Sequence, residues 1–414
     1  MERPRRVPHR GTRGDPSWGS RSLRKAASGR LTVAWPGVVI LLLHNRYRTL
    51  GGEERVVEEL ARILPERLGE PVEVFERDSA RLSRGAAARG LLRGGLDPDE
   101  VAQAVRRTGA RVVHAHNLLP SLGWRALEAA RDAGARTVLT LHQYRLVCAV
   151  GTCLDATGSD CVRCHGRNTR PGIRHGCRGS LPDAVVYAAA LARNSARLVA
   201  SADVLTAVSP FTLQRLHELG APLDGREVHV VANPVSPAEL HADPATGTYA
   251  ICSARLAHDK GVDVAIEACA AASVPLVVTG HGPDEEALRT LAARLGVDVR
   301  FAGRVPDAEL AQLRAGAALA IVPSRFAETF GLSAAEAMAA GLPVVASDVG
   351  ALGDLLPPED RAPMGDAAAL AALVRARWGD AAAGQRNAAR ITEHASPDAV
   401  ARALGALYDA PTHR

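Results

Sequence analysis

The sequence predicts an α/β protein with two halves, each a doubly wound parallel sheet. First, its 414 residues are two to three times the commonest domain size, which favours two domains. Second, short aliphatic runs alternate with longer segments rich in Ala, Leu, Arg and Glu, as in βα units. Third, residues 233–248 crowd Pro and Gly without apolar periodicity, which predicts a linker.

The first half is predicted to alternate six strands with four helices. The strands are Val38–His44, Val72–Phe75, Val112–His114, Thr137–Leu141, Val204–Ala207 and Val228–Val231. The helices are Glu53–Leu64, Pro98–Arg107, Trp124–Ala133 and Leu181–Leu198. We expect residues 31–240 to form this domain.

The second half repeats the pattern over residues 248–395. Its strands are Ala250–Ser253, Leu276–Thr279, Val299–Phe301, Leu319–Val322 and Val344–Ala346. Its helices are Val262–Ala271, Glu285–Ala293, Ala308–Gly316 and Leu332–Ala340, and only helices follow Ala367. We expect the last helix, within residues 396–414, to return to the first domain. Because ligands bind at the carboxyl ends of such sheets, the active site is predicted between the domains.

The positive charge is concentrated at the start of the chain. The net charge is +5, and residues 1–30 hold nine basic residues against two acidic ones, which leaves −2 for the rest. A near-neutral folded part and only 3% aromatic residues exclude nucleic acid as the expected partner. We interpret residues 1–30 as a basic disordered extension.

An apolar run from Leu31 to Leu43 follows this extension. It is too short to span a bilayer, and it resembles a secretory signal only superficially, because no small-residue cleavage site follows it. A buried first strand is the favoured interpretation, and we expect a cytoplasmic protein.

The stretch 323–337 passes from a buried strand through a loop into a helix. Glu328 lies in the loop and Glu336 just over one turn into the helix, so the two carboxylates are expected at two depths of one pocket. Backbone N–H groups at the helix start suit a phosphate or a sugar hydroxyl. These belong to Phe330, Gly331 and Leu332. The competing interpretation is that Glu328 only stabilises the helix dipole and that Glu336 is solvated.

The spacing of Glu328 and Glu336 resembles the Glu-x(7)-Glu signature of retaining GT-B glycosyltransferases, in particular glycosyltransferase family 4. Ser253–Gly261 is similar to that family's Gly-Arg-Leu…Glu-Lys-Gly segment, with Asp259 in place of the usual Glu. The resemblance covers about residues 38–395. It implies a donor-binding domain in the second half and an acceptor-side domain in the first.

The same resemblance makes Arg255 and Lys260 the cations that bind the donor diphosphate. Two cations five residues apart can hold a pyrophosphate without a metal, although a solvated charged turn is the alternative. Gly52 would belong to the family's glycine loop, or simply to a turn. His142, at a strand end, resembles the active-site histidine that contacts the transferred sugar, whereas His114 fits a structural histidine better.

Gly280–Pro283 forms a two-glycine turn before a helix. Glu285 occupies the third glycine position of a dinucleotide-binding motif, which argues against a dehydrogenase. The turn instead matches the family's Gly-x-Gly-Pro. The following loop resembles the one that packs on the donor base, which makes Arg304 and Val305 candidate donor contacts.

Five of the seven cysteines fall within thirty residues, in the long segment 145–181. The spacing of four of them predicts a closed, structural zinc site. These are Cys148, Cys161, Cys164 and Cys177. Disulfides or free thiols are the alternatives.

The combined hypothesis is a retaining, metal-independent glycosyltransferase without a catalytic cofactor. Its donor would be a nucleotide-diphosphate sugar, and its acceptor a glycan or lipid-linked hydroxyl in cell-envelope or exopolysaccharide assembly, with contact to the inner membrane face. Two alternatives stay open at this point. One is a GT-B-like epimerase or phosphorylase, and the other is a non-enzymatic regulator that uses the cysteine segment.

Overall fold

The computed structural model describes residues 39–47, 51–155 and 158–410. The predicted extension 1–30 lies outside these ranges. Within them the chain forms two six-stranded sheets in which all paired strands are parallel. The predicted α/β class with two parallel sheets is confirmed.

The first sheet is built from residues 39–230. Its strands are β1 (Val39–Arg46), β2 (Val72–Asp78), β3 (Ala110–Ala115), β4 (Arg136–Leu141), β5 (Val204–Ala207) and β6 (Val228–Val230). Its helices are α1 (Gly52–Leu68), α2 (Arg84–Arg93), α3 (Pro98–Thr108), α4 (Gly123–Asp132), α5 (Arg170–Arg174), α6 (Leu181–Ala200) and α7 (Pro210–Glu218). The strand order is β2-β1-β3-β4-β5-β6.

The second sheet follows, in the order β12-β11-β10-β7-β8-β9. Its strands are β7 (Tyr249–Ser253), β8 (Leu276–Thr279), β9 (Val299–Gly303), β10 (Ala317–Val322), β11 (Val344–Ser347) and β12 (Arg361–Ala362). Its helices are α8 (Val262–Ala272), α9 (Glu285–Leu295), α10 (Asp307–Ala315), α11 (Leu332–Ala339), α12 (Leu352–Leu355), α13 (Ala367–Arg377), α14 (Ala381–His394) and α15 (Pro397–Asp409).

Strand β1 shows why the first strand is apolar on both faces. Leu41 and Leu43 pack into one core layer, and Ile40 and Leu42 into the layer on the opposite face of the sheet. A parallel strand covered on both sides needs a continuous apolar run. The described part of the apolar run is therefore a buried strand, as predicted.

Helix α15 packs against α1 and the first sheet, although it follows the second sheet in sequence. Its Tyr408 is buried, and the Tyr408 hydroxyl lies 2.8 Å from His114 Nδ1. None of the helices in the described ranges is long and apolar enough to cross a membrane.

Candidate active site

The carboxyl ends of the two sheets meet at the segments that carry His142 and Glu328, the residues that the sequence predicts at the reacting sugar. The hydroxyl of Tyr144, two residues after His142, donates a hydrogen bond of 3.1 Å to the carbonyl of Ala327, which precedes Glu328. Nearby, a Cβ on Gly52 at the start of α1 would lie 3.0 Å from the side chain of Leu332 at the start of α11. The fold therefore brings these four predicted site residues to one boundary between the two sheets.

Four buried histidines, the histidine cluster, lie at the carboxyl ends of β1, β3 and β4. They are His44, His114, His116 and His142. His142 Nε2 is 2.9 Å from His116 Nδ1. Burial, and then the neighbouring His114 and His44, lower the pKa of His142 to about 3, so its ring is neutral at physiological pH.

His114 has a structural role, as the sequence favoured. Its Nδ1 meets the Tyr408 hydroxyl, and its Nε2 lies 2.7 Å from Thr140 Oγ1. Both ring nitrogens are therefore used inside the core.

Glu54 fixes the glycine loop at the start of α1, a role that the sequence motifs did not indicate. Its carboxylate accepts hydrogen bonds from the backbone N–H groups of Tyr47 at 2.9 Å and Gly51 at 2.8 Å. Burial raises the pKa of Glu54, but the nearby His44 ring, 3.6 Å away, and those two backbone N–H groups outweigh it and lower the pKa to about 2. A charged Glu54 thus holds the backbone around Gly51 and Gly52 in place.

Lys260 and Arg255, the two predicted diphosphate cations, have different surroundings. Lys260 Nζ lies 2.6 Å from Glu328 Oε1, and these side chains are only 23% and 15% exposed. Arg255 is 59% exposed and pairs with Asp259 at 2.8 Å. Lys260 is one of only two lysines in a chain that has 48 arginines. The cation at this position is therefore a compact ammonium, whereas nearly all other cationic side chains are guanidinium groups.

Glu328 is positioned by its own loop. Ser324 Oγ donates a 2.8 Å hydrogen bond to Glu328 Oε1, and the Glu328 carbonyl accepts one from the backbone N–H of Ala351 at 2.8 Å. Gly350 has φ +60°, and a Cβ there would overlap the backbone of Glu328. A glycine is therefore required where the loop after β11 supports the Glu328 loop.

Glu336 is paired with two arginines that sequence reasoning missed. Arg314 of α10 donates a short hydrogen bond to Glu336 Oε2, and Arg55 of α1 lies 3.3 Å from Oε1. Neither pairing follows a helical spacing, since Arg55 is 281 residues away in sequence. Glu336 is thus part of an ion-pair group at the junction of both sheets rather than a solvated carboxylate.

The remaining predicted donor contacts surround the start of α11 and the end of β9. Phe330 is buried, and α11 begins after Gly331, where no side chain of the described residues caps the first N–H groups of the helix. Arg304 is exposed, and Val305 packs against the hydrophobic core that includes Phe330. The contacts at the end of β9 and those at the start of α11 lie on neighbouring elements. Helix α10, which follows β9, begins at Asp307, and its Arg314 pairs with Glu336 of α11.

The clustered cysteines line one small cavity. They are Cys148, Cys153, Cys161, Cys164 and Cys177, and all are free thiols. Within the described ranges, no group of three or more His, Cys, Asp or Glu side chains is arranged to hold a metal ion. The Cys148 sulfur instead accepts hydrogen bonds from the Cys153 thiol and from backbone N–H groups that include that of Gly151, which lower its pKa to about 6.

The predicted zinc centre of Cys148, Cys161, Cys164 and Cys177 is therefore not supported by the geometry. The cysteine segment instead lies beside the turn that carries Arg255 and Asp259. Val150, Thr152 and Cys177 line a second cavity together with Arg255 and Asp259.

Comparison with known proteins assigns both halves. Residues 50–239 match the model of Glycosyltransferase Family 4, and residues 240–376 match the model of Glycosyl transferases group 1. The D-inositol 3-phosphate glycosyltransferase of Acidothermus cellulolyticus is 30% identical over 355 residues, which are 73% of this chain and 71% of that protein.

Other curated relatives are matched over less of their length. The phosphatidyl-myo-inositol mannosyltransferase of Mycobacterium leprae is 39% identical over 28% of this chain and 34% of its own. A glycogen synthase of Mycobacterium tuberculosis is 33% identical over 51% of this chain and 55% of its own. The chain thus spans about a third to a half of these two relatives.

Solved structures share the fold at low identity. Anabaena HepE in complex with UDP and glucose has a TM-score of 0.59 at 18% identity, covering 89% of this chain and 99% of that one. Sucrose-phosphate synthase from Thermosynechococcus elongatus has a TM-score of 0.65 at 18% identity, covering 90% and 98%.

Two parallel sheets that face each other at their carboxyl ends, together with these matches, define a glycosyltransferase of the GT-B type. The chain belongs to glycosyltransferase family 4.

Proposed function

We propose that this enzyme transfers a sugar from a nucleoside diphosphate sugar to an acceptor hydroxyl, with retention of the anomeric configuration. The observation that carries the proposal is the Lys260–Glu328 pair, which is partly buried near the start of α11 and joined to the His142 segment through Tyr144. The ammonium of Lys260 and the backbone N–H groups at the start of α11 suit a diphosphate. The neutral imidazole of His142 and the carboxylate of Glu328 suit sugar hydroxyls.

The chemistry follows from where charge develops. As the anomeric bond breaks, negative charge grows on the leaving diphosphate, so Lys260 and the N–H groups of Gly331 and Leu332 would stabilise the transition state more than the bound donor. Glu328 and His142 would hold the sugar, and Glu336 the ribose. Attack from the same face as departure, assisted by the leaving phosphate, is the retaining course that the family implies.

The other donor contacts are assigned around this centre. Arg255 would reach the outer side of the diphosphate, Gly52 would allow close approach of the α1 backbone, and Phe330, Arg304 and Val305 would border the nucleoside. The proposal includes no catalytic cofactor.

The acceptor side is assigned to the first half. Relatives named as a phosphatidyl-myo-inositol mannosyltransferase and a glycogen synthase support a lipid-linked or glycan hydroxyl as the acceptor class. We assign the protein to glycan assembly for the cell envelope or an exopolysaccharide, at the cytoplasmic face of the membrane.

The test is product analysis with a panel of UDP, GDP and ADP sugars and lipid-linked or oligosaccharide acceptors. We expect one donor to release its nucleoside diphosphate in an acceptor-dependent way, and proton NMR of the product to show the donor's anomeric configuration. Lys260→Met should abolish turnover, whereas Arg289→Met, which breaks an exposed pair with Glu285 on α9, should not. An epimerised nucleotide sugar formed without acceptor, or a product of inverted configuration, would contradict the proposal.

A further inference from the structure

Within the histidine cluster, a contact between His116 and His142 joins the predicted sugar-binding histidine to a second buried ring. The two side chains are 4% and 5% exposed, and their rings are 5.2 Å apart at their centroids. The 2.9 Å bond runs from His116 Nδ1 to His142 Nε2. One of these nitrogens must carry the proton.

The second ring nitrogen of His116 determines which of the two bonded nitrogens carries the proton. His116 Nε2 is fully buried and has no hydrogen-bond partner in the described structure. A proton there would leave a buried N–H unpaired, which is costlier than an unused lone pair. His116 is therefore protonated at Nδ1 and donates to His142 Nε2. Burial lowers the pKa of both rings, so neither carries a second proton at neutral pH.

We propose that His116 is a positioning residue that holds His142 in the tautomer protonated at Nδ1. His142 Nε2 is occupied as an acceptor, and its Nδ1 is bonded to no other residue in the described ranges. His142 therefore presents an N–H donor to the cleft, where it can bind an oxygen of the transferred sugar. This assignment rests on the proposed transfer function.

His116 is itself held rigidly. It follows β3 directly, and its backbone N–H donates to the carbonyl of Leu43 at 3.0 Å. The ring of His114 lies 4.3 Å from the His116 ring and is locked by Tyr408 and Thr140. The His116 backbone is thus fixed at the end of β3, and its ring packs against a neighbour that is itself held by hydrogen bonds.

The unpaired Nε2 argues against a purely structural role. An apolar side chain at this buried position would fill the space without an unsatisfied nitrogen, and an unsatisfied buried group in a native protein calls for an explanation. A histidine makes sense here because of what its Nδ1 does for His142.

The test compares His116→Asn, His116→Leu and His114→Asn in the full-length chain. The Asn amide nitrogen takes the place of Nδ1 and can still donate to His142, whereas Leu cannot. His114→Asn is the matched control, because it changes the same residue type two positions earlier without removing a bond to His142. Thermal unfolding establishes that each variant is folded.

The first readout is the tautomer of His142, from long-range proton–nitrogen correlation spectra of protein labelled with 15N-histidine and assigned with a His142→Asn variant. We expect the Nδ1–H form in the wild type and in His116→Asn, and its loss in His116→Leu. The Nε2–H form in the wild type would overturn the proposal. This readout needs no turnover, so it remains decisive if no sugar transfer is found.

The second readout is steady-state transfer. Partners that orient metal-ligating histidines contribute about 10- to 100-fold, and by analogy we expect kcat of His116→Leu to fall by about that factor while the donor KM changes little. His116→Asn should recover most of the loss. Equal losses in His116→Asn and His116→Leu, or an equal loss in His114→Asn, would show that the ring only supports the fold.

Discussion

Lys260 and Glu328 form a partly buried pair, and substitutions of its two members should affect nucleotide binding in opposite directions. Lys260→Met removes the ammonium and keeps most of the length of the side chain. If Lys260 binds the diphosphate, a charged hydrogen bond of about 1.5–3 kcal/mol is lost. The dissociation constant for the nucleoside diphosphate should then rise by about 10- to 150-fold.

Glu328→Gln should not weaken nucleoside diphosphate binding. The carboxylate lies 2.6 Å from Lys260 Nζ and competes with the phosphates for it. Two unit charges 4 Å apart at an effective dielectric of ~20 interact by about 4 kcal/mol, which exceeds the roughly 1.4 kcal/mol that a tenfold tightening of binding requires. Turnover should fall nonetheless, because the neutral amide binds sugar hydroxyls less strongly.

Isothermal titration with UDP, GDP and ADP measures both effects on the folded chain. The double variant Lys260→Met/Glu328→Gln completes a thermodynamic cycle for the pair. Arg289→Met is the control for loss of an ion pair far from the site. If Glu328→Gln weakened binding as much as Lys260→Met, the pair would be only a structural contact, and the assignment of Lys260 to the diphosphate would be refuted.

Three further predictions address the loop, the buried histidines and the lysine itself. Gly350→Ala should destabilise the chain and slow turnover more than Gly365→Ala does, because both glycines have positive φ but only Gly350 meets backbone atoms; equal melting temperatures would contradict this. The pKa values of His114 and His142 lie at about 3, below that of an unfolded histidine, so stability present above pH 6.5 should be lost as the pH falls toward 3. In this range each histidine would change the free energy of unfolding by about 1.4 kcal/mol per pH unit, as measured by urea unfolding. If the slope of that free energy against pH were unchanged in His114→Asn, the assignment to His114 would be contradicted. Amine-reactive esters should modify Lys260 more slowly in the presence of the bound nucleotide but leave the rate at the other lysine unchanged, as read by mass spectrometry of digests; equal rates would place Lys260 outside the site.

Patterns local in sequence predicted most of the fold. Parallel strands buried on both faces are short apolar runs, so β5 and β8 have the predicted bounds. Helices α2, α5, α7 and α12 and strand β12 were not predicted. Helix α2 shows why: its sequence is rich in Gly and Arg, and it is stabilised by packing on α6 rather than by its own periodicity.

The candidate site was predicted where motifs are contiguous and missed where contacts are distant. Glu328 and Glu336 could be found from their spacing alone. Arg55 could not be linked to Glu336, because no local pattern reports a contact between residues 281 positions apart. Glu54 was missed because acidic residues at helix starts are common, whereas its burial and its hydrogen bonds to the Tyr47 and Gly51 N–H groups are seen only in the structure. The cysteine spacing predicted a metal centre that the side-chain geometry does not form.

The most direct test of the donor site is thermal unfolding with nucleoside diphosphates and their sugars, for the wild type and Glu336→Gln. A ligand at 100 times its dissociation constant stabilises the folded state by about 2.7 kcal/mol. We predict that one base raises the melting temperature by several degrees in the wild type and that Glu336→Gln loses most of this shift. An equal shift in the variant, or no shift with any nucleotide, would contradict a donor site at Lys260, Glu336 and the start of α11.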